Sequence, residues 1–318
     1  MGFSTLAVAV PLLALGASPQ MILWPAVGTP DAVVLSGRVL AASPSPGSST
    51  LSRNLRRLTA PPLKGVSVEV RLEGASATAV SDADGAFEVS LHPAKGGFST
   101  GLLRAEAKVP GAPAAAAGVQ VLAAAAPYFV VSDFDDTLAI TNVRSKRGLL
   151  KAALLQDEAT QPAVPGMSGF YRCLARASSE APPAFALVSG SPIQYASRVA
   201  SFLSRNRFPS FGLYLRELGP STLHDYKQPM IRALLGQLTQ PVVLVGDSGE
   251  HDPEVYRQMA AEFPGRVKAI YIRDAGGDVS AERLGPAMLF HDPAEALADA
   301  IAKGLAPKDC ALEREGGE

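Results

Sequence analysis

Between residues 32 and 125, apolar and polar positions alternate in short runs. Val66, Val68, Val70 and Leu72 interleave with Ser67, Glu69, Arg71 and Glu73, the period-two pattern of a strand with one buried face. Asp82-Ala83-Asp84-Gly85 supplies a turn, after which Phe87, Val89 and Leu91 alternate with Glu88 and Ser90. Residues 33–40 and 102–109 read as further strands. Short strands separated by turn signals predict a small antiparallel β-sandwich over residues 30–125. Residues 43–62, rich in Ser and Pro and carrying Arg53, Arg56 and Arg57, read as a loop inserted into it.

After an alanine-rich stretch the pattern changes. Apolar runs at 128–131, 184–188, 211–215, 242–245 and 269–272 are separated by helix-like stretches at 194–204, 229–238 and 253–262. Buried strands alternating with helices predict an α/β fold, a doubly wound parallel sheet, over residues 126–306. Residues 307–318 read as a polar tail. Ligands of such sheets bind beyond the carboxyl ends of the strands, so polar residues should collect there. The run 128–131 ends at Ser132-Asp133, the run 184–188 at Ser189-Gly190, and the run 242–245 at Gly246-Asp247.

The first 20 residues stand apart. Residues 3–17 are mostly apolar, a length that suits a signal-peptide core and falls short of a bilayer span. Pro11 interrupts the run and no Lys or Arg precedes it, so a signal and a disordered leader both stay open. With them stay open an extracytoplasmic site and a cytoplasmic one with peripheral membrane association. The 318 residues suit two domains. Lys plus Arg number 29 against 30 for Asp plus Glu, which argues against broad nucleic-acid binding. Cys173 and Cys310, far apart in sequence, make neither a metal-ligand spacing nor a disulfide framework, and no chemical role is expected of them.

The strongest chemical signal is Asp133-Phe134-Asp135-Asp136-Thr137, directly after an apolar strand. Asp133 and Asp135 lie two apart where a tight turn presents both to one site. Asp247 ends another strand and Asp252 follows a short loop. Carboxylates about 4 Å apart at an effective dielectric near 20 repel by roughly 4 kcal/mol per pair, so a cluster of three requires protons or a cation. Oxygen ligands without Cys or His favour a hard ion such as magnesium. Taken singly, Asp136 and Asp252 read equally as turn or helix-cap residues, whereas the strand-end placement of Asp133, Asp135 and Asp247 favours a site. Ser189-Gly190-Ser191-Pro192 joins a strand to a helix, where a hydroxyl and backbone N–H groups suit phosphate oxygens, or simply cap the helix. Lys227 opens the next helical stretch.

Taken in chain order, Asp133 to Thr137, Ser189, Lys227, and Asp247 with Asp252 resemble the four motifs of the haloacid dehalogenase superfamily. Longer strings are similar to the actin-patch-associated family of phosphatidate phosphatases. These are Ser132 to Thr137 with Ile140-Thr141-Asn142-Val143, Val188 to Pro192, Gly246 to Glu254, and Ile270-Tyr271-Ile272-Arg273-Asp274. One departure is Tyr226, where family members often carry His before the motif Lys.

The resemblance implies a magnesium-dependent phosphatase with Asp133 as nucleophile and Asp135 as general acid and base. It implies metal binding by Asp133, Asp135 (through its backbone carbonyl), Asp247 and Asp252. Ser189, Gly190 and Lys227 would bind phosphate, and Thr137 would support the loop. Little room for a large cap between Ser189 and Lys227 suits an open site and a bulky substrate such as phosphatidate or another lipid phosphate. Arg144, Lys146, Arg147 and Lys151 suit peripheral contact with an anionic membrane, or a solvated helix face. The alternatives are a phosphatase of a protein, nucleotide or sugar phosphate, and a non-catalytic surface protein that binds through the sandwich.

Overall fold

The computed structural model describes residues 19–41, 61–141, 161–217 and 223–312. The apolar run 3–17, most of the Ser/Pro-rich 43–62 insert and the basic positions Arg144 to Lys151 fall outside them.

The first half of the chain forms eight strands: β1 (Gln20–Leu23), β2 (Ala26–Gly28), β3 (Val33–Leu40), β4 (Ser67–Leu72), β5 (Ala75–Val80), β6 (Ala86–Leu91), β7 (Gly101–Lys108) and β8 (Ala115–Val121). They make a three-stranded sheet β1-β3-β6 and a five-stranded sheet β2-β8-β7-β4-β5. The alternation read in the sequence matches the burial. Val68, Val70 and Leu72 of β4 and Phe87, Val89 and Leu91 of β6 are buried in one shared core.

The second half holds β9 (Phe129–Ser132), α1 (Met167–Ala175), β10 (Phe185–Pro192), a 3-10 turn, α2 (Ala196–Arg205), β11 (Gly212–Arg216) and α3 (Leu223–Gln237). It continues with β12 (Val242–Asp247), α4 (Asp252–Glu262), β13 (Val267–Arg273), α5 (Ala281–Leu284), β14 (Met288–Phe290) and α6 (Pro293–Ala302). Its six strands run parallel in the order β11-β10-β9-β12-β13-β14. Side chains of β9 alternate between two cores: Val130 packs on the side of α1, α2 and α6, whereas Phe129 and Val131 pack on the side of α3 and α4. A strand buried on both faces reads as a continuous apolar run, as this one does.

This architecture overturns the expected fold class of a doubly wound, haloacid dehalogenase-like sheet preceded by a small antiparallel sandwich. Among the described residues there are three sheets and fourteen strands against six α-helices, so the chain is α/β only in the general sense. Nor is the first half purely antiparallel, because β2 pairs in parallel with β8. The reason lies at residues 20–28, short of the predicted sandwich. They form β1, which pairs with β3 from Gln20↔Leu40 to Leu23↔Gly37, and β2, which carries the chain into the other sheet. Pairing across long sequence separations leaves no trace in the periodicity of one strand.

The two halves are also packed together. The Leu213 N–H of edge strand β11 donates to the Pro25 carbonyl at 2.8 Å, and the Val27 N–H donates to the Tyr214 hydroxyl at 3.0 Å. Gln120 bonds both backbone groups of Phe185, each at 3.0 Å. Trp24 is buried in one core of the parallel-sheet half and Val27 in the other.

The cysteines require a second correction. Cys173 of α1 and Cys310 form a disulfide with Cα atoms 5.8 Å apart. The helix and the C-terminal segment meet only in the folded chain, so a sequence separation of 137 gave no hint of the pairing. No helix among the described residues is long and apolar enough to cross a membrane.

Candidate active site

Strand order creates the site. From β9 the chain builds β10 and β11 on one side, then crosses to place β12 on the other. Such a reversal leaves a crevice at the carboxyl ends of the strands. Ser132 is in register with Leu187 of β10 and Val245 of β12, so Asp133 leaves the sheet between Ser189 and Asp247. The Asp133 N–H donates to the Val245 carbonyl at 3.0 Å, which fixes this exit.

Beyond the strand, the 133–141 loop folds back tightly. Asp136 has φ 52°, in the left-handed region. Its N–H donates to the Ala139 carbonyl, its side chain accepts from the Thr141 N–H, and Arg273 donates to its carbonyl at 2.6 Å. Thr137 is fully buried beneath this loop. Asp135 points to the β10 side, where its Oδ2 accepts from the Ser191 hydroxyl at 2.7 Å. Burial pushes its carboxyl up to about 6, and the Ser191 bond opposes the rise.

On the β12 side, Asp133, Asp247 and Asp252 are buried and each brings one oxygen within 4.8 Å of the others. Lys227, in the second turn of α3, is also buried. Its Nζ lies 2.7 Å from Asp252 Oδ1, 2.9 Å from Asp133 Oδ1 and 3.1 Å from Glu250 Oε2. Burial alone would lower the ammonium. Asp133, then Asp252 and Glu250, outweigh it and hold Lys227 well above the ordinary lysine range. One cation thus faces four carboxylates, counting Asp247. Burial, followed by the neighbouring Asp252 charge, pushes Asp247 up to about 8, and burial likewise raises Asp133.

The oxygens of the three aspartates are not equivalent. Both Asp252 oxygens are engaged, Oδ1 by Lys227 and Oδ2 by the Asp247 N–H at 3.2 Å. Asp247 Oδ1 accepts from the N–H groups of Gly249 and Glu250. Asp247 Oδ2 and both Asp133 oxygens are buried without a hydrogen bond, because Lys227 meets Asp133 only as an ion-pair contact. Buried carboxylate oxygens left this way are costly, and an all-oxygen set with excess negative charge fits a hard divalent cation. Asp133 and Asp247 have oxygens to offer such an ion, whereas Asp252 braces Lys227 against the end of β12. Gly246 is part of this brace, since a Cβ there would run into the Asp252 carboxylate.

The crevice therefore gathers Asp133, Asp135, Ser189, Gly190, Lys227, Asp247 and Asp252. The Asp135 side chain stands outside the acidic triad. Ser189 is buried and its hydroxyl accepts from the Ser191 N–H, while the Gly190 carbonyl accepts from Arg216. Sequence reasoning did not single out Ser191, Glu250 or Arg283. Arg283 donates to Glu254, to the Ser248 and Asp278 carbonyls and to the Glu250 carbonyl, tying down the loop between Asp247 and Asp252. Doubled serines flanking Gly190 were the only signal for Ser191. Nothing in the sequence places Arg283 against a loop some 30 residues earlier.

Comparison with known proteins bears on the same segment. Residues 128–274 match the family model described as "Phosphatidate phosphatase APP1, catalytic domain". Phosphatidate phosphatase APP1 of Saccharomyces cerevisiae is 30% identical over 164 residues, 48% of this chain and 27% of that protein. An uncharacterized protein of Schizosaccharomyces pombe is 30% identical over 159 residues, 47% of this chain and 25% of its own length. The chain thus spans about a quarter of the length of these curated relatives. A solved Pnkp1/Rnl/Hen1 complex aligns with TM-score 0.36 and 16% identity over 49% of this chain and 48% of that one, too slight a likeness to carry weight. Over the segment that bears Asp133, Ser189, Lys227, Asp247 and Asp252, the chain resembles the catalytic domain of the phosphatidate phosphatase family.

Proposed function

We propose that this chain is a magnesium-dependent phosphatase that hydrolyses phosphatidate to diacylglycerol and inorganic phosphate. The reading is carried by one observation: a buried lysine and an excess of buried carboxylates lie within a segment that matches a phosphatidate phosphatase catalytic domain. Titratable residues perturbed by burial and by a specific charge partner in a crevice cluster at functional sites.

In this reading, an oxygen of Asp133 attacks phosphorus and the bond to the lipid oxygen breaks, leaving an aspartyl-phosphate. Asp135 gives its proton to the departing oxygen, then takes one from the water that attacks the same phosphorus. The second attack breaks the Asp133–phosphorus bond and frees inorganic phosphate. A carboxyl raised to about 6 and held by Ser191 suits this double duty. Ser189, the Gly190 backbone and Lys227 bind the phosphoryl oxygens and favour their charge in the transition state. Magnesium, held by Asp133, Asp247 and the Asp135 carbonyl, would neutralise charge between nucleophile and phosphate. Thr137 supports the loop and Asp252 keeps Lys227 in place.

The disulfide supports an oxidising compartment, in line with an export signal at residues 3–17. Arg144, Lys146, Arg147 and Lys151 favour peripheral contact with an anionic membrane, at roughly 1 kcal/mol per residue.

The test is phosphate release from phosphatidate micelles and from soluble protein, nucleotide and sugar phosphates, with magnesium or with chelator. Asp133→Asn should abolish magnesium-dependent release from the lipid. Turnover by that variant at the wild-type rate would refute the nucleophile, and a preference for soluble esters would refute the lipid substrate.

A further inference from the structure

We propose that the cleft between the strand-rich half and the edge strand β11 is a subsite for one fatty acyl chain, so that the first half of the chain forms part of the substrate site. The inference rests on the phosphatase reading above and names where the non-phosphate part of the substrate lies.

The cleft has a volume of about 390 Å³, within the range that takes small ligands. Its walls come from both halves: Trp24, Gly37 and Phe87 from one, Ile193, Leu215 and Met230 from the other. Three relations place it beside the phosphate-binding elements. Leu215 is the register partner of Ser189, and partners on adjacent strands lie about 4.8 Å apart. Ile193 follows directly after Pro192, at the end of the Ser189 strand. Tyr226, also in the lining, immediately precedes Lys227. The backbone of Ser189 is thus one strand spacing from a residue that lines the cleft, and Lys227 is the chain neighbour of another.

The lining chooses the occupant. Trp24, Phe87, Ile193 and Leu215 make an apolar floor, and among the described residues no Lys or Arg lines the cleft. Its rim carries Asp82, Glu88 and Glu217, the last paired with Arg38 at 3.4 Å across the two halves. This arrangement disfavours a second anionic group and accepts an uncharged hydrocarbon chain. Each methylene removed from water strengthens binding about fourfold.

Trp24 is the only tryptophan in the chain, so its fluorescence reads occupancy without any turnover. The probe is a monoacylglycerol brominated on its chain, added below its micelle concentration to the full-length protein. Saturable quenching of Trp24 is expected. Ala86→Phe, which narrows the cleft from β6, and Val80→Glu, on its exposed wall, should each raise the half-saturating concentration at least tenfold. The same variants should lower kcat/KM on long-chain phosphatidate by tenfold or more, and leave hydrolysis of a short soluble phosphate ester within twofold of wild type.

A fatty-acid anion of equal length should need at least tenfold more probe, a gap that narrows at high salt. No quenching up to the solubility limit, or quenching indifferent to both variants, would overturn the subsite. So would an equal loss of activity on long and short substrates. Saturable quenching in a protein that releases no phosphate from any ester would leave the acyl site standing and refute the phosphatase reading instead.

Discussion

Among the described residues up to 122, Ser81 is the one buried polar side chain, and it is fully satisfied. Its hydroxyl donates to the Leu63 carbonyl at 2.6 Å and accepts from the Val66 N–H at 3.0 Å. Beyond residue 126, Asp133, Thr137, Ser189, Lys227, Asp247 and Asp252 are all buried, and several of their oxygens lack a hydrogen bond. One half obeys the general rule that a polar group leaves water only when its bonds are replaced. The other breaks it at several side chains, Gln237 and Gln240 among them, but only at the strand ends are the unbonded atoms carboxylate oxygens, and there the chain accumulates more negative charge than its lysine neutralises. The contrast locates chemistry without reference to any relative, since a fold gains no stability from burying carboxylates against each other.

The widest separation between the halves should come from Lys227→Met. Removing the ammonium leaves Asp133 and Asp252 without their cation, and breaking a buried ion pair this way costs about 3–5 kcal/mol. Denaturant unfolding should show that loss, together with turnover reduced to background. A variant of wild-type stability would mean that the acids are protonated or solvated and that the contrast is false.

The disulfide comes next. It closes a loop across a sequence separation of 137, and loops of that length contribute about 4–5 kcal/mol in the chain-entropy model. Cys310→Ser should lower the denaturation midpoint accordingly and spare the turnover that remains in the folded fraction, because Leu174, beside Cys173, bonds Tyr128 at the amino end of β9, opposite Asp133.

Magnesium should act on one half only. At a hundredfold excess over its dissociation constant it should stabilise the folded chain by about 2.7 kcal/mol, read as a rise in Tm. Asp247→Asn should remove that rise. A shift that survives the substitution would place the ion elsewhere. The smallest effect belongs to Ser81→Ala, which should cost about 1–3 kcal/mol for the two backbone groups left unpaired and leave kcat/KM unchanged.

The parallel-sheet half was legible where a feature was local. The runs at 128–131, 184–188 and 242–245 became β9, β10 and β12; Asp133 and Asp247, which follow two of them, lie together with Asp252, and Ser189 is buried on the strand between β9 and β11. Lys227 was found through its order in a motif, since nothing about an isolated lysine in a helix predicts that it will be buried. What stayed hidden depends on which distant pieces meet. Residues 20–28 lack the length to announce β1 and β2, whose partners are Leu40 and Val119. Glu250 and Ser191 gain meaning only when α3 and the 133–141 loop are folded over them.

Asp252 opens α4, grips Lys227 of α3 with one oxygen and the backbone of Asp247 with the other. Two helices and a strand end are therefore coupled through a single carboxylate, like a keystone whose removal loosens every stone it touches. Anyone redesigning this crevice inherits that coupling. The helix that carries the lysine cannot be shifted to enlarge the pocket without dragging the acidic turn along, so changes of substrate size are better sought on the other flank, where β11 meets the strand-rich half.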